Sequence, residues 1–188
     1  MLLGWLVALA PSATGAFSSG SPVCEVNLLP LVPMSPVLRD PPPVGWFLSV
    51  PERRWYAGRE IDVRLVNADP QRRARGALLW AKSGPLTGAG EFVLPGVVPP
   101  AVPRFGYITP SPGNACDQWS VSHVDSQPKT QAQLVFRWRA PSNLQDPFIG
   151  MRAFVIDDCR PTPGGCRGAQ ALTDFIDLVP TLFFDDFE

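Results

Sequence analysis

Apolar and polar residues alternate with a period of two in several separate stretches, and that period assigns strands rather than helices. In Glu60–Val66, EIDVRLV, the residues Ile61, Val63 and Leu65 share one side while Asp62 and Arg64 share the other. This is the pattern of an antiparallel strand with one face buried and one face wet. LVFRW repeats it: Leu134, Phe136 and Trp138 form a core face, Val135, Arg137 and Arg139 oppose them, and Ala140-Pro141 ends the run. Upstream, WSVSHV sets Trp119, Val121 and His123 against Ser120, Ser122 and Val124. The polar, breaker-rich DSQPKTQ between these two runs reads as a surface loop.

Four further runs complete the strand set. WFLSV (46–50) and EFVLPG (91–96) are short, whereas GALLWAKS (76–83) and FIGMRAFVI (148–156) are longer and more apolar. ADPQRRARG (68–76) and the glycine-rich GPLTGAG (84–90) read as loops. Helical spacing occurs only near the end, in GAQALTDFIDLVP. Leu172, Phe175, Ile176 and Val179 there predict one or two turns before Pro180, followed by TLFFDDFE as an acidic-aromatic tail, helical or extended. Strands at short, regular spacing without alternating helices predict one all-β domain, an antiparallel two-sheet sandwich. Immunoglobulin Cys…Trp…Cys spacing is absent.

Composition agrees with many short elements. The chain has 188 residues, 45% of them hydrophobic, with Pro 23 and Gly 16. That is enough apolar material for a core and too much proline for a helical bundle. The formal net charge of -1 provides no basic field for a nucleic-acid backbone, so nucleic acid is excluded as a partner.

The first sixteen residues, MLLGWLVALAPSATGA, join an apolar run to small residues, with Thr14 and Ala16 placed as a signal peptidase accepts them. A signal peptide over 1–16 is expected, although a basic n-region is missing. The apolar run is too short to span a bilayer, so no membrane span is expected after cleavage, and the product is secreted. Residues 17–43 follow as a proline-rich segment in which Pro30, Pro33 and Pro36 forbid a helix or a central strand, leaving an irregular strap over the surface. The sandwich is assigned to 44–158 and a cysteine turn with its tail to 159–188.

Four cysteines, Cys24, Cys116, Cys159 and Cys166, suit an exported chain with up to two disulfides, for which three pairings exist. Cys159 and Cys166 bracket the turn RPTPGG, which makes a local bridge the natural choice and leaves Cys24–Cys116 as a long-range staple. Closing a loop of about 90 residues contributes on the order of 4–5 kcal/mol in the chain-entropy picture. A zinc site would need more than one histidine or a Cys-x-x-Cys pair.

Candidate chemistry is sparse. His123 is the one histidine, and with Ser120 or Ser122 and Asp125 it could suggest a triad. Neighbours along one strand do not converge, however, and no GxSxG elbow exists. A structural role in the core, with Phe136 and Trp138, is the better reading. Asp157 and Asp158 offer a weak calcium possibility without the spacing of a calcium loop; no cofactor is expected. Arg72, Arg73 and Arg75 form the one basic cluster and a candidate ligand contact. Among Trp46, Trp55, Trp80, Trp119 and Trp138, core packing is favoured except at Trp55, which stands beside Arg53 and Arg54 and is expected to be exposed.

Beyond these patterns, several segments resemble the reeler (reelin N-terminal) domain family. They are Cys24, WYAGREIDVRLVN (Trp55–Asn67), GALLWAK (Gly76–Lys82), Cys116 with SVSHVDSQPKT (Ser120–Thr130), LVFRWRAP (Leu134–Pro141) and GMRAFVI. The resemblance implies an immunoglobulin-like sandwich and a Cys24–Cys116 bridge. It departs at Phe148-Ile149-Gly150, where the family often places a cysteine, so no second family bridge carries over. It implies an extracellular adhesion, matrix or immune-related module without catalysis, and the expected mode of action on an extracellular or surface protein is presentation of loops such as 68–76 and 83–90 from the disulfide-stapled sandwich. A carbohydrate- or lipid-binding defence-type protein is the alternative, and a secreted hydrolase the weakest.

Overall fold

The computed structural model describes residues 21, 24–25, 45–85, 87–94, 105–107, 116–125, 127–129, 133–143, 148–157 and 170–181. The signal segment, most of the proline-rich strap, Cys159, Cys166 and Asp158 therefore lie outside the described residues. The remainder forms two sheets packed face to face.

The smaller sheet has four strands: β1 (Trp46–Ser49), β3 (Glu60–Asn67), β9 (Gln133–Arg139) and β6 (Glu91–Val93), in that spatial order. Every pair in it is antiparallel. In the β3–β9 register Ile61 faces Trp138, Val63 faces Phe136 and Leu65 faces Leu134, so the two apolar faces read from alternation coincide. All six side chains are buried. Trp138 donates its indole N–H to Ala89 O at 3.1 Å. Next to it, Gly90 sits at φ +61, where a Cβ would strike Arg139 O and the Trp138 ring, so glycine is required there.

The larger sheet runs β2 (Arg54–Trp55), β12 (Ile176–Pro180), β10 (Ile149–Asp157), β4 (Ala74–Ser83), β8 (Ser120–His123), β7 (Phe105–Tyr107). Two short strands, β11 (Gln170–Leu172) and β5 (Thr87–Gly88), pair with β10 and β4. The longest pairing is β10 with β4. Ile149, Met151, Ala153 and Val155 face inward beside Ala77, Leu79 and Ala81. These small and branched side chains fill the space between the sheets together with Leu48, Val63, Leu134 and Trp55.

Two expectations are corrected. Residues 170–180 contain strands where the spacing predicted helical turns. Ile176 and Leu178 are buried, while Phe175, Asp177 and Val179 are exposed, so the operative period is two. The two exposed apolar side chains had completed a false helical stripe. The strands β11 and β12 accordingly belong to the sandwich, not to a tail beyond residue 158. Within the antiparallel sandwich one pairing is parallel, β2 with β12, fixed by Val179 N donating to Arg53 O and Thr181 N to Trp55 O.

Candidate functional site

The two outer faces of this sandwich differ, and the difference begins in the strands. On the larger sheet, the outward residues of β4 and β8 are Leu78, Trp80, Ser120 and Ser122, and all four are buried. Of the strap, the described residues Ser21, Cys24 and Glu25 pack against this side of the sheet. Cys24 and Cys116 form a disulfide with Cα atoms 5.2 Å apart, closing a sequence separation of 92. Ser120 Oγ donates to Cys24 O at 2.6 Å, and Ser21 N donates to Ser122 Oγ at 2.9 Å. Lys82, itself buried, donates to Glu25 Oε1 and Oε2 at 2.8 and 2.7 Å and also to Pro85 O. Beneath the strap Leu78, Trp80 and Cys116 make a second apolar cluster, with Trp119 and Phe154 at its margin.

Sequence alternation put Ser120 and Ser122 on a wet face. Their burial under backbone from another part of the chain was invisible to local periodicity. This also disposes of the triad arrangement. Ser120 is engaged by Cys24 O, and Asp125 is held by Lys129 Nζ at 2.7 Å. His123 Nδ1 lies 3.3 Å from both Ala77 O and Ser122 Oγ, and a Cβ at Gly76 would fall 2.7 Å from the imidazole Cε1. The ring is buried against a glycine, in a packing role.

The smaller sheet leaves its outer face bare among the described residues. Along β3 and β9 the cross-strand pairs are Glu60–Arg139, Asp62–Arg137 and Arg64–Val135. Arg139 donates to Glu60 Oε1 from Nε at 3.2 Å and from a terminal nitrogen at 2.7 Å, and it also holds Glu91. The hydrogen-bonded Glu60 carboxylate keeps the Arg139 guanidinium above its ordinary value, and Glu91 adds to this. Arg137 Nε stands 3.5 Å from Asp62 and 3.7 Å from Glu60. At the β1 end, Arg59 donates to Glu52 Oε1 at 2.8 Å and stacks on Tyr56 at 5.1 Å. Directly beside these charges the face turns apolar: Val135 opposes Arg64, Phe47 opposes Val66, and Phe47 and Val135 are 45% and 51% exposed.

A cavity of about 410 Å³ opens where β1 leaves the sheet, walled by Arg59, Arg64 and Arg137 and by Glu52, Glu60 and Asp62. This mixed-charge recess, with the apolar strip beside it, is the candidate site. No residue in it was singled out from the sequence. The missed signal is the charged side of the very alternation that located β3 and β9.

The residues that were singled out lie elsewhere. Trp55 is 0% exposed, a core residue on β2, which corrects its assignment as an exposed contact. Trp46, Trp80 and Trp138 are buried as well, and Trp119 is half-buried beside Gly88, which leaves no tryptophan platform among the described residues. The arginine cluster does not converge. Arg72 donates to Asp157 Oδ2 at 2.5 Å, Arg73 turns back to Arg72 O at 2.9 Å, and Arg75 is exposed on β4. Asp157 is buried with its Oδ2 on Arg72, its calcium partner Asp158 lies outside the described residues, and no group of metal-binding side chains occurs among the described residues.

Comparison with known proteins gives the fold and nothing finer. No family model matches the chain, and no curated protein matches it. Solved structures do. The reelin-N domain of F-spondin aligns with a TM-score of 0.52 at 15% identity, covering 73% of this chain and 86% of that one. Two structures of the human F-spondin reeler domain align with TM-scores of 0.51 and 0.52, each at 15% identity, covering 89% and 93% of their lengths. The chain has the reeler-type sandwich fold.

Proposed function

We propose that this protein is an extracellular binding module whose working surface is the outer face of β1, β3, β9 and β6. One observation carries the reading: among the described residues, Ser21, Cys24 and Glu25 pack on the buried outward side of β4 and β8 in the larger sheet, while the outer face of the smaller sheet presents ordered charges and exposed apolar side chains. Apolar side chains rimmed by fixed ion pairs are the anatomy of a protein-protein contact, with burial at the centre and orientation from the rim. Export is supported by the apolar leader, and a long-range disulfide suits an oxidising compartment. The fold of the F-spondin reeler structures is consistent with an adhesion-type role, although a fold alone does not name a ligand.

A carbohydrate- or lipid-binding role loses its main support with the burial of the tryptophans, and hydrolysis loses it with Ser120 bonded to Cys24 O, Ser122 to Ala77 O and Asp125 to Lys129. The test is capture from extracellular fractions with the immobilised full-length protein. Phe47→Ser together with Val135→Ser should abolish capture, and Arg152→Gln, on the opposite sheet, should not. Equal capture by all three proteins would overturn the assignment of the face.

A further inference from the structure

The charges on the outer face of the smaller sheet are sorted by strand. β3 turns Glu60, Asp62, Arg64 and Val66 outward, and β9 turns Gln133, Val135, Arg137 and Arg139 outward. Their register sets Glu60 beside Arg139 and Asp62 beside Arg137, so two acids on one strand lie along two bases on the next. Within one copy these groups are paired but not used up. Arg137 approaches Asp62 and Glu60 through Nε, and its side chain is 58% exposed. The side chains of Glu60, Asp62 and Arg139 are partly exposed as well. A guanidinium carries five N–H donors and a carboxylate about four acceptor sites, so each group can take a second partner from above the sheet.

That order makes the face complementary to itself. Consider a two-fold axis parallel to the strands, in the plane of contact and midway between β3 and β9. It lays β3 of one copy over β9 of the other and keeps each residue at its own height along the strand. Glu60 and Asp62 then meet Arg139 and Arg137 of the second copy, and the reverse pairs form by symmetry, as in an isologous contact. Val135, beside the axis, meets the Arg64 side chain of the second copy. An axis perpendicular to the strands instead sets Glu60 on Val66 and Arg137 on Val135, which desolvates charge against apolar groups. The formal net charge of -1 puts little repulsion between copies. We propose that this face pairs with the same face of a second copy of the chain about the strand-parallel axis, a homophilic contact. The pairing rests on the outer face of the smaller sheet being the working surface, and it names the partner. With β3 of 8 residues about 27 Å long and four strands about 19 Å wide, each copy offers on the order of 500 Å². That lies at the small end of specific interfaces, so the contact is reversible, and its ionic character makes it weaker in salt.

The experiment is sedimentation equilibrium of the full-length chain, from about 10 to 500 µM at low and high salt, which should show a monomer–dimer equilibrium that weakens as salt rises. Arg137→Glu with Arg139→Glu, and separately Glu60→Arg with Asp62→Arg, should each weaken self-association about ten-fold or more. Mixed in equal amounts, the two variants should recover association, because each presents the sign that the other lacks. Val135→Arg leaves every ion pair of the face in place and sets a guanidinium against Arg64 of the second copy. It should also weaken the dimer about ten-fold, which keeps the test decisive where charge reversal unfolds the chain. Thermal unfolding of each variant separates loss of pairing from loss of fold. A parent that stays monomeric over this range overturns the proposal. Capture by Phe47→Ser with Val135→Ser then decides separately whether the face serves a different partner. A dimer unmoved by charge reversal and by Val135→Arg lies on another surface and overturns the proposal, as do folded variants that fail to associate when mixed.

Discussion

The two sheets present opposite solutions to one problem. Each has an inner face fixed by the shared core, but β4 carries Gly76, Leu78, Trp80 and Lys82 outward, while β3 carries Glu60, Asp62, Arg64 and Val66. The first set is hydrated poorly and needs a cover, which the strap supplies through Cys24, Ser21 and Glu25. The second set is mostly charged and partly exposed, and no described residue covers it. On the proposed reading, the face left bare among the described residues is the one for a partner, which would place stability and recognition on opposite sides of the sandwich. Substitutions on the larger sheet should therefore register in unfolding, and substitutions on the smaller sheet should register in binding.

The strongest way to break that separation is to cut the staple. Replacing Cys24 and Cys116 together by alanine releases a sequence separation of 92, and chain-entropy scaling gives a loss of about 4–5 kcal/mol. Denaturant unfolding measures it. A loss below about 1 kcal/mol would mean that the strap holds without its disulfide and that the covered face is stable unaided. Next is Trp80→Ala. Trp80 is buried on the outward side of β4, and truncating it empties the second cluster at a cost of about 3–5 kcal/mol. A surface-sized effect there would show that the strap lies loosely.

These two tests use residues that sequence patterning read unequally. The core faces of β3 and β9 were legible because one strand face was wet, so alternation marked the other. GALLWAKS also carried a true signal: a continuous apolar run marks a strand buried on both faces. Its described cover, however, comes from Ser21, Cys24 and Glu25 across long sequence separations, which no local window contains. Trp55 was misread for a similar reason. Its strand is two residues long, too short to show a period, and its parallel partner β12 lies at the other end of the chain. The recess escaped notice because it needs β1 to stop at Ser49 while β3 continues to Glu60, a fact of pairing and not of composition.

A smaller effect is expected from Glu25→Gln, which leaves the Lys82 ammonium buried with Pro85 O and a weaker acceptor. The loss should be about 1–3 kcal/mol. Replacing both partners, Glu25→Gln with Lys82→Met, should recover part of it, because the stranded charge is then gone. A double-mutant cycle in denaturant measures both steps. Failure to recover would place the contribution of Lys82 in the packing of its stem and not in its charge.

The smallest stability effect, and the sharpest functional one, belongs to the bare face. Phe47 and Val135 are exposed in the free protein, so Phe47→Ser and Val135→Ser remove little buried area and should each shift unfolding by no more than about 0.5 kcal/mol. If partner contact buries these side chains, the same substitutions should weaken capture at least about ten-fold, since a large apolar side chain at an interface centre commonly contributes 1–2 kcal/mol or more. The two readouts must therefore diverge, with an unmoved unfolding midpoint beside a lost interaction. If unfolding and binding fall together, the face is already covered in the free protein. If neither moves, recognition lies on the loops and not on the sheet. Only divergence is compatible with a sandwich that is strapped on one side and open for binding on the other.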